Sequence, residues 1–214
     1  MATYAFVNID LPEAARLADL TGIRNDLRIA REFAVLLQEN FRAMTDDKLR
    51  ATEALQIAAL TRYCRPFGTG VRLKLNPNDL VSLTDEERKA HRRLIDIRDK
   101  FVAHSINAFE DSQPIARYCE ERVQNEGITS IGVVYAWASS LAPADADTLI
   151  GLADKWAEFV DSKIAEEKKK VLGLVRRIPL EELFRRFSAR SPQIDHENPH
   201  KRRPRLRQGP PTHG

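Results

Sequence analysis

The sequence contains few of the residues from which covalent or metal-bound frameworks are built. Its 214 residues include only two cysteines, Cys64 and Cys119, and these do not form a CxxC pair. A disulfide framework or a zinc site needs several suitably spaced thiols or histidines. The sequence therefore predicts two reduced cysteines, no metal site and no cofactor.

Long apolar segments are also scarce. The first ten residues lack the basic flank and the continuous apolar stretch of a secretory signal. The longest uncharged run, between Glu126 and Asp145, is interrupted by glycine, serine and proline. It falls short of the ~20 predominantly apolar residues that a membrane span requires. These absences predict a soluble, cytoplasmic protein with no membrane partner.

The carboxyl-terminal segment, residues 191–214, has almost no large apolar side chains. It contains five of the eleven prolines, and from Asp195 onward its charges account for the whole net charge of +3. Such a segment buries too little surface to offset the entropy of ordering, so we predict a disordered tail. Its basic residues are candidates for contact with RNA phosphates, whereas a merely solubilising tail is the alternative. These residues are Lys201, Arg202, Arg203, Arg205 and Arg207.

Apolar residues at helical spacing dominate the rest of the chain. The clearest stripe has gaps of three or four residues and consists of Ile23, Leu27, Ala30, Ala34, Leu37, Phe41 and Met44. A second helix is predicted over 49–63, with Ala54, Ile57, Leu60 and Cys64 facing inward. A third begins at Asp85, because Thr84 and Glu87 have capping-box spacing, and runs toward Ser105. A long helix from about 143 to Pro179 and a short one near 180–187 complete the helical part.

Residues 113–138 interrupt this helical pattern. The segment 128–137 is rich in β-branched and aromatic residues and predicts a strand, with a turn at 125–127 before it. Residues 114–123 fit either a pairing strand or a short helix, and we favour the hairpin. The predicted fold is mainly α, a helical bundle with a small β-hairpin insertion. We expect one domain over 1–190, followed by the disordered basic tail.

Histidine is the side chain best suited to proton exchange near neutral pH, and the predicted domain has only His91 and His104. His91 is predicted to be a surface residue. His104 ends the phrase Arg-Asp-Lys-Phe-Val-Ala-His, which begins at Arg98. This phrase resembles the signature of HEPN domains, in which arginine and histidine are separated by four to six residues with a polar first spacer. Asp99 is that polar spacer.

The resemblance implies a dimeric helical domain that cleaves RNA without a metal ion. His104 would be the acid or base and Arg98 the phosphate clamp, and Asp99 would support the site. The expected products are a 2′,3′-cyclic phosphate and a 5′-hydroxyl end. HEPN ribonucleases act in abortive-infection and toxin/antitoxin systems, so a restraining antitoxin or sensor protein is an expected partner.

Two further interpretations of the same residues stay open. On a regular helix Arg98 and His104 lie ~9 Å apart along the axis and ~120° apart around it, so they border one wide face. Arg98 could instead pair with Asp96 or Asp99, and His104 could cap the end of the helix. The chain would then be a non-catalytic HEPN-like module that binds RNA or protein, or a dimeric interaction protein.

Overall fold

The computed structural model describes residues 9, 11–43, 45, 48–68, 73–102, 110–118, 128–137 and 141–186. Within these residues the chain forms five α-helices and one two-stranded antiparallel sheet. The prediction of a mainly α fold with a β-hairpin is confirmed. His104, Cys119, the hairpin turn and the predicted tail lie outside the described residues, so the predicted bounds of the domain and its tail stay a prediction.

The helices follow the predicted order. Their bounds are α1 Pro12–Arg42, α2 Leu49–Cys64, α3 Asp85–Ile97, α4 Pro143–Val175 and α5 Leu180–Arg186. Helix α1 begins earlier than the apolar stripe, at a proline whose fixed φ suits the first helical position. No described helix is long and apolar enough to cross a membrane.

Local sequence signals set two of the helix boundaries. The regular α-helix of α2 stops at Cys64, two residues before Pro66, and the chain continues as a 3₁₀ turn over Arg65–Phe67. Helix α3 starts with the predicted capping box. The Thr84 hydroxyl accepts from the Glu87 amide at 3.2 Å, and the Glu87 carboxylate accepts from the Thr84 amide at 3.0 Å.

Helix α2 buries a face that differs from the predicted one. Leu60 and Cys64 are buried as predicted, but Ala54 is exposed and Ile57 is only half-buried. The buried positions also include Thr52, Gln56, Ala59 and Tyr63. Polar residues thus take core positions, and Gln56 is satisfied there because its Oε1 accepts from the Leu141 amide at 3.3 Å.

Two compact units can be distinguished by the contacts within each. The first comprises Met1–Arg28, Arg65–Leu80 and Lys155–Gly214. Its described core includes Trp156, which is fully buried and meets the rings of Phe67 and Phe159 edge to face, with centroids 5.0 and 5.8 Å away. Such aromatic pairs are worth about 0.5 to 1.5 kcal/mol beyond their burial.

The second unit comprises Ile29–Cys64 and Val81–Asp154. Its described core includes Leu37, Leu60, Tyr63, Leu94 and Leu149, each at most 1% exposed. The unit contains the Arg98 segment and the β-hairpin.

The predicted hairpin forms from β1 Glu110–Tyr118 and β2 Ile128–Trp137. Pro114 stands opposite Val133, and Ala116 stands opposite Ile131. A bulge between Arg117 and Tyr118 shifts the register, and there the Thr129 hydroxyl donates to the Arg117 carbonyl at 3.1 Å. The helical alternative for 114–123 is therefore wrong over its described part, 114–118.

Candidate functional site

Helix α3 changes its winding where the Arg98 motif begins. The α-helix ends at Ile97, and Arg98–Val102 forms a π-helical turn, in which hydrogen bonds join residues five apart. The ~120° separation expected for Arg98 and His104 was derived for an unbroken α-helix. It does not apply to a segment that begins with a π-helical turn. Single π-helical turns are frequent at functional sites.

The structure brings Arg98 and Asp99 together. The Nε atom of Arg98 lies 3.0 Å from Oδ1 of Asp99, and the two side chains are 31% and 52% exposed. The same Nε atom is shielded from solvent and makes no hydrogen bond of good geometry. We conclude that the carboxylate attracts the guanidinium by its charge while approaching off the N–H direction.

Arg98 also borders the buried thiol of Cys64. The Cys64 Sγ–H donates to the Leu94 carbonyl at 3.7 Å. Burial raises the pKa of this thiol to about 12, although the charge of Arg98 and a hydrogen bond from it act in the opposite direction. Cys64 is therefore a neutral thiol at physiological pH, so it does not cancel the charge of the guanidinium. Sequence spacing gave no sign of this contact, because the two residues belong to different helices.

His91 is buried, so the prediction of a surface residue is wrong. Its side chain is only 3% exposed, its Nδ1 lies 2.7 Å from the Tyr63 hydroxyl, and the two rings meet edge to face. Burial lowers the pKa of His91 to about 4, with the Arg92 charge acting in the same direction. The imidazole is thus neutral at pH 7 and lies in the core.

The sequence around His91 carries two opposing signals. Four cations flank it, and charge of this kind is typical of a solvated surface; they are Arg88, Lys89, Arg92 and Arg93. The spacing of His91 from two buried residues predicts burial instead. His91 lies three residues before Leu94 and six before Ile97, and it shares their inward face.

The part of the chain that is described offers no site for a metal ion. The described residues include no cluster of three or more His, Cys, Asp or Glu side chains that could hold a metal ion. His104 and the basic residues of the tail lie outside that part, so their predicted roles stay predictions.

In comparisons with protein-family models, curated protein sequences and solved structures, nothing matches this chain. The HEPN resemblance therefore depends on the phrase that runs from Arg98 to His104 and on the order of the helices around it.

Proposed function

We propose that this chain is a metal-independent ribonuclease of the HEPN type. In this proposal Arg98 binds the phosphate, Asp99 holds the guanidinium in place, and His104 exchanges protons with the RNA. The observation that carries it is the Arg98–Asp99 pair, part-exposed on a π-helical turn. The planar donor fork of a guanidinium matches phosphate oxygens.

The proposed reaction is a transesterification within the RNA. The ribose 2′-oxygen attacks phosphorus while the bond to the 5′-oxygen breaks, leaving a 2′,3′-cyclic phosphate and a 5′-hydroxyl. The imidazole takes the 2′-hydroxyl proton or gives a proton to the leaving 5′-oxygen, and water exchanges the other proton. Imidazole suits either role near neutral pH. The guanidinium stabilises the negative charge that develops on the phosphate.

Two other proton-bearing side chains, His91 and Cys64, are poor candidates for the acid or base of RNA cleavage. His91 is enclosed in the core with its Nδ1 at the Tyr63 hydroxyl, and the Cys64 thiol holds its proton well above neutral pH. Neither is placed to exchange protons with a dissolved RNA. His104 remains the candidate among the histidines and cysteines of the motif and its described neighbours.

The test is cleavage of an RNA panel by the purified full chain in excess EDTA. Arg98→Ala and His104→Ala are each expected to lower cleavage by at least 100-fold, the order of magnitude for one acid–base or charge-stabilising group. Lys89→Ala is the matched control, because Lys89 is an exposed cation of the same helix and lies outside the motif. It should cut at the parent rate.

The nature of the products gives a second readout. The downstream fragment should accept phosphate from polynucleotide kinase without prior phosphatase treatment, because it begins with a 5′-hydroxyl. Intact RNA with the parent protein, or equal cleavage by folded Arg98→Ala and His104→Ala variants, would exclude the catalytic proposal. Restraint by an antitoxin or sensor protein is part of this proposal and explains how a cell would tolerate the activity.

The Arg98–Asp99 contact also favours one second candidate, a non-catalytic module that binds RNA or protein. An arginine already paired with a carboxylate can serve to stabilise the turn instead of contacting a substrate. Binding without cleavage that survives His104→Gln would support this module. Loss of cleavage with retained RNA binding in the same variant would support the ribonuclease.

A further inference from the structure

The β-hairpin exposes large apolar side chains on both of its faces. On one face of β2, Ile131 and Val133 are 71% and 66% exposed, and on the other face Val134 and Ile115 are about half exposed. A two-stranded hairpin alone is marginally stable in water and usually needs a third strand or a packed face. The described residues provide no third strand.

The outer edges of β1 and β2 differ in how readily another strand could pair with them. Strand β1 contains Pro114, which cannot donate a hydrogen bond, and its sequence includes Glu110, Asp111 and Arg117. Proline and charge are the usual means by which proteins block an edge. Strand β2, Ile128–Trp137, contains neither a proline nor a charged residue. The open edge of the hairpin is therefore that of β2.

The register indicates which backbone groups face this open edge. A proline is tolerated in a ladder where its nitrogen faces away from the partner strand. Pro114 and its partner Val133 are then a non-hydrogen-bonded pair, and we expect the N–H and C=O of Val133 to point to the open edge. Ile131, two residues earlier, has the same orientation. The backbone groups at the edge thus belong to Ile131 and Val133, whose apolar side chains are largely exposed.

We propose that β2 pairs antiparallel with β2 of a second copy of this chain, so that two hairpins form one four-stranded sheet. A two-fold contact places the same surface of both copies together, and an uncharged strand meets itself without like-charge repulsion. The same face of each hairpin then lies on the same side of the joint sheet, which brings Ile131 and Val133 of the two copies next to one another. This inference does not depend on ribonuclease activity.

The experiment is the mass of the full chain in solution, measured by light scattering after size exclusion over a series of concentrations. The parent is expected to reach twice the monomer mass of 24.3 kDa. Val133→Pro removes an edge N–H without removing a hydrogen bond within the hairpin, and it should give a monomer with unchanged helical circular dichroism. Ile131→Lys should do the same, because charge on an edge strand opposes pairing.

Ala116→Lys is the matched control, because Ala116 stands opposite Ile131 on the same face but belongs to β1. It should remain dimeric. If Val133→Pro loses its helical circular dichroism, the mass of Ile131→Lys in solution tests the proposed interface by itself.

Three outcomes would overturn the proposal. One is a parent that stays monomeric throughout, as expected if this edge receives a strand from a different protein. Another is a dimer that persists in the folded edge variants, because the contact would then lie elsewhere. The third is dissociation of Ala116→Lys as readily as of Ile131→Lys, since the β2 edge would then have no special role.

Discussion

The Tyr63 hydroxyl and Nδ1 of His91 lie 2.7 Å apart between α2 and α3, and both side chains are almost fully buried. The burial of His91 makes folding sensitive to pH. The pKa of His91 falls from 6.5 to about 4 on folding, so below pH 6.5 the unfolded chain binds a proton that the folded chain does not. The stability linked to His91 is therefore complete above pH 6.5 and decreases as the pH falls toward 4.

We expect up to about 2 kcal/mol of unfolding free energy to be lost through His91 between pH 7.5 and pH 5, from the linkage of the two pKa values. Urea unfolding at both pH values measures this loss. His91→Gln keeps a polar group beside Tyr63 but does not titrate, so its loss should be smaller by that amount. Equal losses in the two proteins would refute the prediction.

Tyr63→Phe should destabilise the protein by about 1 to 2 kcal/mol at pH 7.5. The substitution leaves a buried imidazole nitrogen without its hydroxyl partner, which costs about that much. A double-mutant cycle with His91→Leu separates the pair from the packing of each ring. If the two substitutions add without coupling, the hydrogen bond contributes nothing to stability.

Cys64 should resist alkylation as long as the protein is folded. Its thiol is buried, and a pKa of about 12 leaves almost no thiolate at pH 8. Iodoacetamide labelling followed by mass spectrometry tests this in a Cys119→Ser variant, where Cys64 is the one remaining cysteine. Labelling should appear only with added urea, in step with unfolding, and rapid labelling of the native protein would contradict the burial of the thiol.

Thr84→Ala should cost about 1 kcal/mol, the usual effect of removing a helix N-cap. The substitution leaves the Glu87 amide without its acceptor and removes one half of the capping box. Ser82→Ala, an exposed substitution in the preceding turn, is the control and should change the urea midpoint little. Equal midpoints for both variants would show that the cap contributes nothing.

The elements of this fold that could be predicted are those with strong local signals. The start of α3 followed from Thr84 and Glu87, the end of α2 from Pro66, and β2 from its β-branched residues. The early start of α1 was missed, although Leu20 and Leu17 continue the apolar stripe from Ile23 toward the amino terminus at three-residue spacing. Ala54 was placed inward by its apolar character, although Gln56 and Thr52 take the buried positions on α2.

The candidate site was only partly accessible to sequence reasoning. Arg98 and Asp99 are adjacent in the chain, so their pairing needed no tertiary information. The contact of Arg98 with Cys64 and the burial of His91 depend on how α2 and α3 pack, which periodicity on one helix does not reveal. The π-helical turn is likewise not encoded in the simple spacing of apolar residues, which assumes a constant 3.6-residue turn.

A backbone hydrogen bond closes the first loop between α2 and α3. The Leu75 amide donates to the Pro66 carbonyl at 2.9 Å, and nearby the Leu73 amide donates to Asp19 on α1 at 2.9 Å. The first hydrogen bond joins the two ends of this loop. Residues inserted between 68 and 73 would therefore lengthen the loop without moving its ends. The entropy of closing a loop rises only with the logarithm of its length. This position therefore offers a place to graft an epitope or a fluorescent reporter while the helices on either side keep their positions.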